Sequence, residues 1–164
     1  MDPATNDRPG EERMVLIGVG NEFRDDDALG ICVVRELRRR NPGLSNVREA
    51  SGEGSALMEA WEGADRVIIV DAVFSGKVPG AIYRLDASLR EIPRGLFHYS
   101  THAFGVAEAV EVARRLGKLP RHLILFGIEG KAFGTGVGLS DPVVKSIPEL
   151  IAQIEVEIHA VHAA

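Results

Sequence analysis

Three consecutive carboxylates, Asp25 to Asp27, are the residues of this sequence best suited to chemistry. They follow an apolar run, Met14 to Ile17, and a glycine turn, Gly18-Val19-Gly20-Asn21, and they precede helix-like sequence from Ala28 to Arg40. A phosphate-binding loop places glycine and backbone N–H groups at this point, because phosphate is negative. Carboxylates repel phosphate and suit a cation, and one helix cap needs only one Asp. The run therefore indicates a cation site after the first strand.

Two further residues are expected at the same edge of the sheet. The sequence Arg66 to Asp71 (RVIIVD) predicts a buried parallel strand that ends in a carboxylate, because continuous apolar runs fit strands covered on both faces. His102 precedes a predicted helix over Ala103 to Leu116, and a helix N-terminus favours the neutral imidazole that ligates metals. Asp27, Asp71 and His102 then supply three ligands and leave positions open for water or substrate.

This donor set limits the chemistry. Oxygen and imidazole donors suit zinc, nickel or manganese, and nickel binds such sites more tightly than manganese does. No HExxH helix and no GxSxG elbow occur in the sequence, so a standard zinc-protease helix and a serine nucleophile elbow are excluded. A carboxylate outside the ligand set, Asp26, is a candidate general base, and Glu53 in the loop after strand 2 is a further candidate.

The elements that position these residues alternate between strand and helix. Residues 1–13 are polar and are expected to form a disordered leader, and residues 14–164 are expected to form a single α/β peptidase domain. The order β-α-β-α-β-β-α-β-α predicts a three-layer sandwich, a five-stranded, mostly parallel twisted sheet with helices on both faces. Gly80 to Leu85 alternates in polarity and lies close in sequence to strand 3, which predicts an antiparallel edge strand. A glycine-rich loop over residues 129–138 is expected to be mobile and near the site.

The remaining predicted elements complete this order. They are a short strand at Val47 to Ala50, a short helix at Ser55 to Trp61, a last strand at His122 to Ile128, and a final helix that Ser140 caps and that runs to about Val161, with Pro148 kinking or restarting it.

Composition narrows the class of protein. The net charge of -5 argues against a nucleic-acid groove, and no apolar run is long enough to cross a bilayer, so a cytoplasmic monomer without membrane or nucleic-acid partners is expected. The single cysteine, Cys32, excludes an internal disulfide and a Cys-rich zinc site. Because it lies in the apolar run Ile31-Cys32-Val33-Val34, it is expected to be buried.

The motifs, taken in order over residues 14–160, resemble those of the nickel-iron hydrogenase maturation endopeptidases. The family motif G-x-G-N-x-x-x-x-D-[DE]-[GA]-x-G, its strand-3 Asp, its S-x-H and its late G-x-G-L-S are matched by Gly18, Gly20, Asn21, Asp26, Asp27, Ala28, Gly30, Asp71, Ser100, His102 and Gly136 to Ser140. The resemblance implies a metal-dependent endopeptidase that removes a C-terminal extension from a hydrogenase large-subunit precursor after nickel insertion.

The resemblance also implies the roles of the site residues. Nickel already present in the substrate docks on Asp27, Asp71 and His102 and so positions the scissile peptide, and other divalent metals such as zinc can substitute. The acid at the position of Asp27 is Glu in some relatives, and Asp is one methylene shorter. This difference affects the geometry of ligation more than its chemistry.

Two other protein classes share parts of the pattern. A receiver-like phosphorylation switch would use Asp26 and Asp27 as its acidic pair, Asp71 as phosphoacceptor, and Thr101 and Lys131 as its other conserved positions. A peptidyl-tRNA-hydrolase-like hydrolase also opens with a strand and a GxGN turn. The receiver lacks the intervening GVGNEFR loop, and the tRNA hydrolase needs a basic face. The endopeptidase is therefore the favoured hypothesis.

Overall fold

A computed structural model of the chain describes residues 12–97 and 102–160. Its elements are, in chain order, β1 (Met14–Val19), a 3₁₀ turn (Asp25–Ala28), α1 (Leu29–Arg40), β2 (Val47–Ala50), α2 (Gly54–Ala60), β3 (Arg66–Val73), β4 (Ile82–Asp86), α3 (Val106–Arg115), β5 (His122–Glu129) and α4 (Asp141–His159). The predicted alternation of strands and helices is confirmed. The 3₁₀ turn was not predicted, and it holds the aspartate run.

The five strands form one sheet in the order β2-β1-β3-β5-β4. All neighbouring strands are parallel except β4 and β5, which are antiparallel. The α/β class with one antiparallel edge strand is therefore confirmed. The antiparallel edge strand is β4, and it pairs with β5, because β3 already has β1 on one side and β5 on the other.

Helices cover both faces of the sheet, and the alternation of side chains along β3 feeds two separate cores. Ile69 lies in a buried cluster with Val110 of α3, and the same cluster includes residues of α2. Ile68 lies in the opposite cluster with Leu37 of α1 and Leu150 of α4. Because side chains alternate with period two, continuous apolar sequence in β3 is needed to serve both layers.

Several boundaries differ from those predicted. β3 continues two residues past Asp71 to Val73, so that Asp71 lies inside the strand. α3 begins at Val106 rather than at Ala103, because Gly105 is its N-cap and donates its N–H to the Glu108 carboxylate at 3.1 Å. Pro148 does not interrupt α4, which runs from Asp141 to His159, and the predicted end near residue 161 lies outside the described residues.

The prediction that Cys32 is buried was wrong, since its side chain is exposed. The inward face of α1 is formed by Ile31, Val33, Val34 and Leu37, and the helical period places residue 32 on the opposite face. Within the part of the chain that the structure describes, no helix has the length and apolar character that crossing a membrane requires.

Candidate active site

The three consecutive aspartates have three different surroundings, and Asp26 is the one that is fully buried and extensively hydrogen-bonded. It is fully buried, and its carboxylate accepts the N–H groups of Lys131 at 2.7 Å, Ala132 at 3.0 Å and Ser140 at 2.7 Å, together with the Ser140 hydroxyl at 2.8 Å. Burial by itself would raise the pKa of Asp26, but the hydrogen bonds from Ser140, Ala132 and Lys131 outweigh it and lower that pKa. A carboxylate used in this way is poorly placed to act as a general base.

Asp25 fastens the same loop at a second point. Its carboxylate accepts the N–H of Gly134 at 3.1 Å, and its own N–H donates to the carbonyl of Gly136 at 3.2 Å. A Cβ atom at Gly136 would collide with the Asp25 carboxylate, so glycine is needed for this close approach. The glycine-rich loop was expected to be mobile, but residues 131–140 are held to the β1–α1 connection by these contacts.

Asp27 is partly buried and takes no part in capping α1, whose N-cap is Ala28 with no side-chain hydrogen bond. Burial raises the pKa of Asp27, while the charge of Arg24, the N–H of Asn21 and the charge of His102 lower it by less. Arg24 was not singled out in the sequence, where its only signal is its position three residues before Asp27. Of the three aspartates, Asp27 is therefore the one whose carboxylate neither caps a helix nor holds the glycine-rich loop, and it is the candidate for a chemical role.

Asp71 lies on β3 with 6% of its surface exposed, directly opposite Gly127 of β5. Burial raises the pKa of Asp71 well above its ordinary value, and the negative charge of Asp27 raises it further, against a smaller lowering by the N–H of Ala72. Among residues 12–97 and 102–160, no cationic side chain forms an ion pair with it. Asp71 is thus a buried carboxylate whose strongest charged neighbour has the wrong sign.

His102 comes three residues before the N-cap of α3 and is partly exposed. Its charge lowers the pKa of Asp27 and, as the smallest of several causes, that of Glu53, so it lies within electrostatic reach of both carboxylates. Ser100 and Thr101, which the family motif and the receiver hypothesis would use, lie outside the described residues.

Glu53 has a structural function in α2. Its carboxylate caps the helix by accepting the N–H groups of Ser55 at 3.0 Å and Ala56 at 2.9 Å. Hydrogen bonds from the Ser55 hydroxyl and from these two N–H groups lower the pKa of Glu53. Like Asp26, it is poorly suited to accept a proton as a general base.

Another buried carboxylate, that of Glu129, was not anticipated as a functional residue. Glu129 ends β5 with 1% of its surface exposed, and it accepts the N–H groups of Ser75 at 2.8 Å and Lys77 at 3.1 Å and the Tyr83 hydroxyl at 3.2 Å. These bonds fix the β3–β4 loop beside the site. The only sequence signal for this role is a carboxylate that closes an apolar strand.

The three predicted ligands fit a divalent cation in their chemistry. Asp27 interacts electrostatically with both Asp71 and His102, and a cation would replace the repulsion between the two carboxylates with attraction. In the described ranges, however, no group of three His, Cys, Asp or Glu side chains is already assembled at metal-binding distances. The residues therefore supply suitable donors without a closed coordination shell.

The chain was compared with known proteins. A family model described as "Hydrogenase maturation protease" matches residues 31–157, a range that includes Asp71 and His102 and begins just after Asp27. The hydrogenase expression/formation protein HupD of Bradyrhizobium diazoefficiens is 33% identical over 73% of this chain. The hydrogenase 2 maturation protease of Escherichia coli is 29% identical over 87% of this chain and 88% of its own length.

The chain matches only part of the length of the HupD proteins. The chain spans 63% of the Bradyrhizobium protein and 55% of the HupD of Thiocapsa roseopersicina. Solved structures show the same fold over nearly the whole length. The hydrogenase maturating endopeptidase HybD of E. coli has a TM-score of 0.71 at 23% identity, covering 92% of this chain and 95% of its own.

A solved structure of a [NiFe] hydrogenase maturation protease is also similar to this chain. The [NiFe] hydrogenase maturation protease HybD of Thermococcus kodakarensis has a TM-score of 0.66 at 25% identity, covering 87% of this chain and 97% of its own. No support is found for the receiver or the peptidyl-tRNA hydrolase. The receiver sheet has the strand order 2-1-3-4-5, whereas here β5 lies between β3 and β4, and β4 is an antiparallel edge.

Proposed function

The chain belongs to the hydrogenase maturation protease family, and from that premise we propose that it is an endopeptidase acting on a hydrogenase large-subunit precursor. It removes the C-terminal extension of the precursor after nickel has been inserted. Nickel belongs to the substrate and serves as the element by which the enzyme recognises it. The description of the Thermococcus relative as a [NiFe] hydrogenase maturation protease supports nickel as the metal.

The observation that carries this proposal is the electrostatic coupling of Asp27 to both Asp71 and His102. A buried carboxylate without a cationic partner is costly to fold around, so such a group commonly marks a functional site. The incomplete coordination shell among the described residues is compatible with a metal that arrives with part of its own ligand set.

In the proposed reaction, the residues of this chain bind and orient the substrate. Asp27 and Asp71 offer carboxylate oxygens to the nickel of the precursor, and neutral His102 offers a ring nitrogen. Nickel held in this way anchors the precursor so that its scissile peptide lies beside these three residues. Asp26 is not proposed as the general base, because its carboxylate already accepts four hydrogen bonds.

The remaining features of the proposal concern the setting of the enzyme. Residues 14–164 form one catalytic domain after a leader of residues 1–13, and the protein works as a cytoplasmic monomer on a precursor that is made in the same compartment. In the test tube, zinc is expected to bind the same three residues in place of nickel, since both metals prefer the same kinds of donor atom. Size-exclusion chromatography with light scattering tests the monomer.

The experiment that tests the function uses one precursor in two forms. Purified enzyme is incubated with a nickel-loaded large-subunit precursor and with the nickel-free form, and each product is measured by intact mass. We expect the C-terminal extension to be lost from the nickel-loaded form alone. An unchanged mass of the nickel-loaded precursor would contradict the proposed activity, and equal cleavage of both forms would contradict recognition through nickel.

A further inference from the structure

One cationic residue at the candidate site, Arg24, is held by hydrogen bonds at both its backbone and its guanidinium. The backbone of Arg24 donates to the carbonyl of Asn21 at 3.2 Å, accepts the N–H of Asp27 at 3.0 Å and forms a parallel bridge with Gly136. Its guanidinium Nη2 donates to the carbonyl of Phe133 at 3.1 Å. Both ends of this partly buried residue are therefore fixed, one beside Asp27 and the other on the glycine-rich loop.

Arg24 is also the permanent cation at this site. The positive groups that act on Asp27 are Arg24 and His102, and a histidine that ligates nickel is neutral. Of the other cationic side chains near this connection, Lys131 is exposed, and Arg35 of α1 is engaged by Glu22 at 3.1 Å and by Glu49. Arg24 keeps its charge at every physiological pH, so it can act whatever the protonation of its neighbours.

We propose that Arg24 contacts the carbonyl oxygen of the scissile peptide and stabilises the negative charge that develops there during cleavage. This inference rests on the proposed peptidase function and adds a substrate-contacting residue to it. Guanidinium has several N–H donors in a planar fork, and the bond to Phe133 uses one of its nitrogen atoms. Among the described residues, this is the one hydrogen bond that the guanidinium makes, and its positive charge acts on Asp27, beside which the precursor is expected to bind.

The bond changes of the reaction define what Arg24 must do. A water oxygen bonds to the carbonyl carbon, and the C=O electron pair moves onto the oxygen, which becomes the anion that Arg24 stabilises. When the C=O bond reforms, the C–N bond breaks, and the proton lost by the water ends on the nitrogen of the released extension. A donor fixed in advance at the oxyanion is worth about 10²–10³-fold in kcat.

The test compares Arg24→Gln and Arg24→Lys with Arg35→Gln on the nickel-loaded precursor, measuring kcat and KM separately. Arg35 is the matched control, because it is an arginine on the adjacent helix whose ion pairs are exposed. We expect Arg24→Gln to lower kcat by about 10²–10³-fold with little change in KM. Arg24→Lys should recover part of the loss, and millimolar guanidinium should partly rescue Arg24→Gln but not Asp27→Asn. Arg35→Gln should cleave like the wild type.

The outcomes separate this role from a structural one and from failure of the proposed function. A kcat of Arg24→Gln close to that of the wild type, or a loss confined to KM, would overturn the role of Arg24. A loss that neither Lys nor guanidinium recovers, with a lowered melting temperature, would also overturn it and assign Arg24 to holding Phe133. If the wild-type enzyme leaves the nickel-loaded precursor intact, the proposed function fails, and the role of Arg24 fails with it.

Discussion

Asp26 and Asp27 are adjacent in the chain and have opposite surroundings. Asp26 is fully buried, yet its charge is favoured, because two backbone segments aim N–H groups at it. Asp27 is only partly buried, yet its charge is disfavoured, because burial raises its pKa by more than Arg24, the N–H of Asn21 and His102 lower it. Burial alone therefore does not identify a functional carboxylate. What identifies it is burial without enough hydrogen bonds to satisfy the charge.

The comparison predicts that the two kinds of carboxylate respond to substitution in opposite ways. Replacing Asp26 should damage the fold, and replacing Asp71 should damage cleavage while leaving the fold intact or more stable.

The largest effect is expected from Asp71→Asn on activity. Losing one of three ligands to the substrate nickel should slow precursor cleavage by about three orders of magnitude, equivalent to about 4 kcal/mol of transition-state stabilisation. The variant should unfold at the same temperature as the wild type or higher, because a buried charge repelled by Asp27 is removed. Cleavage assays and calorimetry check both parts, and a clearly lower melting temperature would place Asp71 with the structural carboxylates.

The next effect is expected from Asp26→Ala on stability. The change leaves the N–H groups of Lys131, Ala132 and Ser140 without their acceptor, which should lower the free energy of unfolding by about 2–4 kcal/mol. Urea titration at neutral pH measures it. Asp25→Ala is the matched control, because Asp25 accepts a single N–H from the same loop and should cost about 1 kcal/mol. Equal losses in the two variants would contradict the special role of Asp26.

The smallest effect is expected in the dependence of stability on pH. The lowered pKa of Asp26 means that its contribution is present above the unfolded-state pKa and is lost as the pH falls through the folded-state pKa. The raised pKa of Asp71 means that the folded state binds its proton more tightly. Stability should therefore fall as the pH rises from the unfolded-state pKa towards the folded-state value.

Thermal unfolding of the wild type, Asp71→Asn and Asp26→Asn across these two windows separates the contributions. The Asp71→Asn protein should lose the decline at higher pH and keep the acid limb. The Asp26→Asn protein should show the reverse. Curves that superimpose for all three proteins would mean that neither carboxylate is perturbed as described.

The sequence predicted the place of Asp71 in the sheet better than the different surroundings of the three consecutive aspartates. Asp71 was assigned to a central strand because an apolar run dictates one, although that strand continues past it to Val73. The function of Asp26 could not be read from the sequence, because its partners lie 105 to 114 residues away. Only the folded chain brings the two segments together. Cys32 was misplaced for a local reason, since a four-residue apolar run cannot be divided into inner and outer positions without the helical phase.

Asp27, Asp71 and His102 are proposed to act on the precursor through its nickel, and the His102→Ala variant tests this role. The measurement is the cleavage rate of nickel-loaded precursor, at a temperature where melting curves show wild type and variant to be equally folded. A partly exposed histidine contributes little packing, so the fold should be nearly unchanged. We predict that the variant leaves the precursor uncleaved. Cleavage at the wild-type rate would contradict the account.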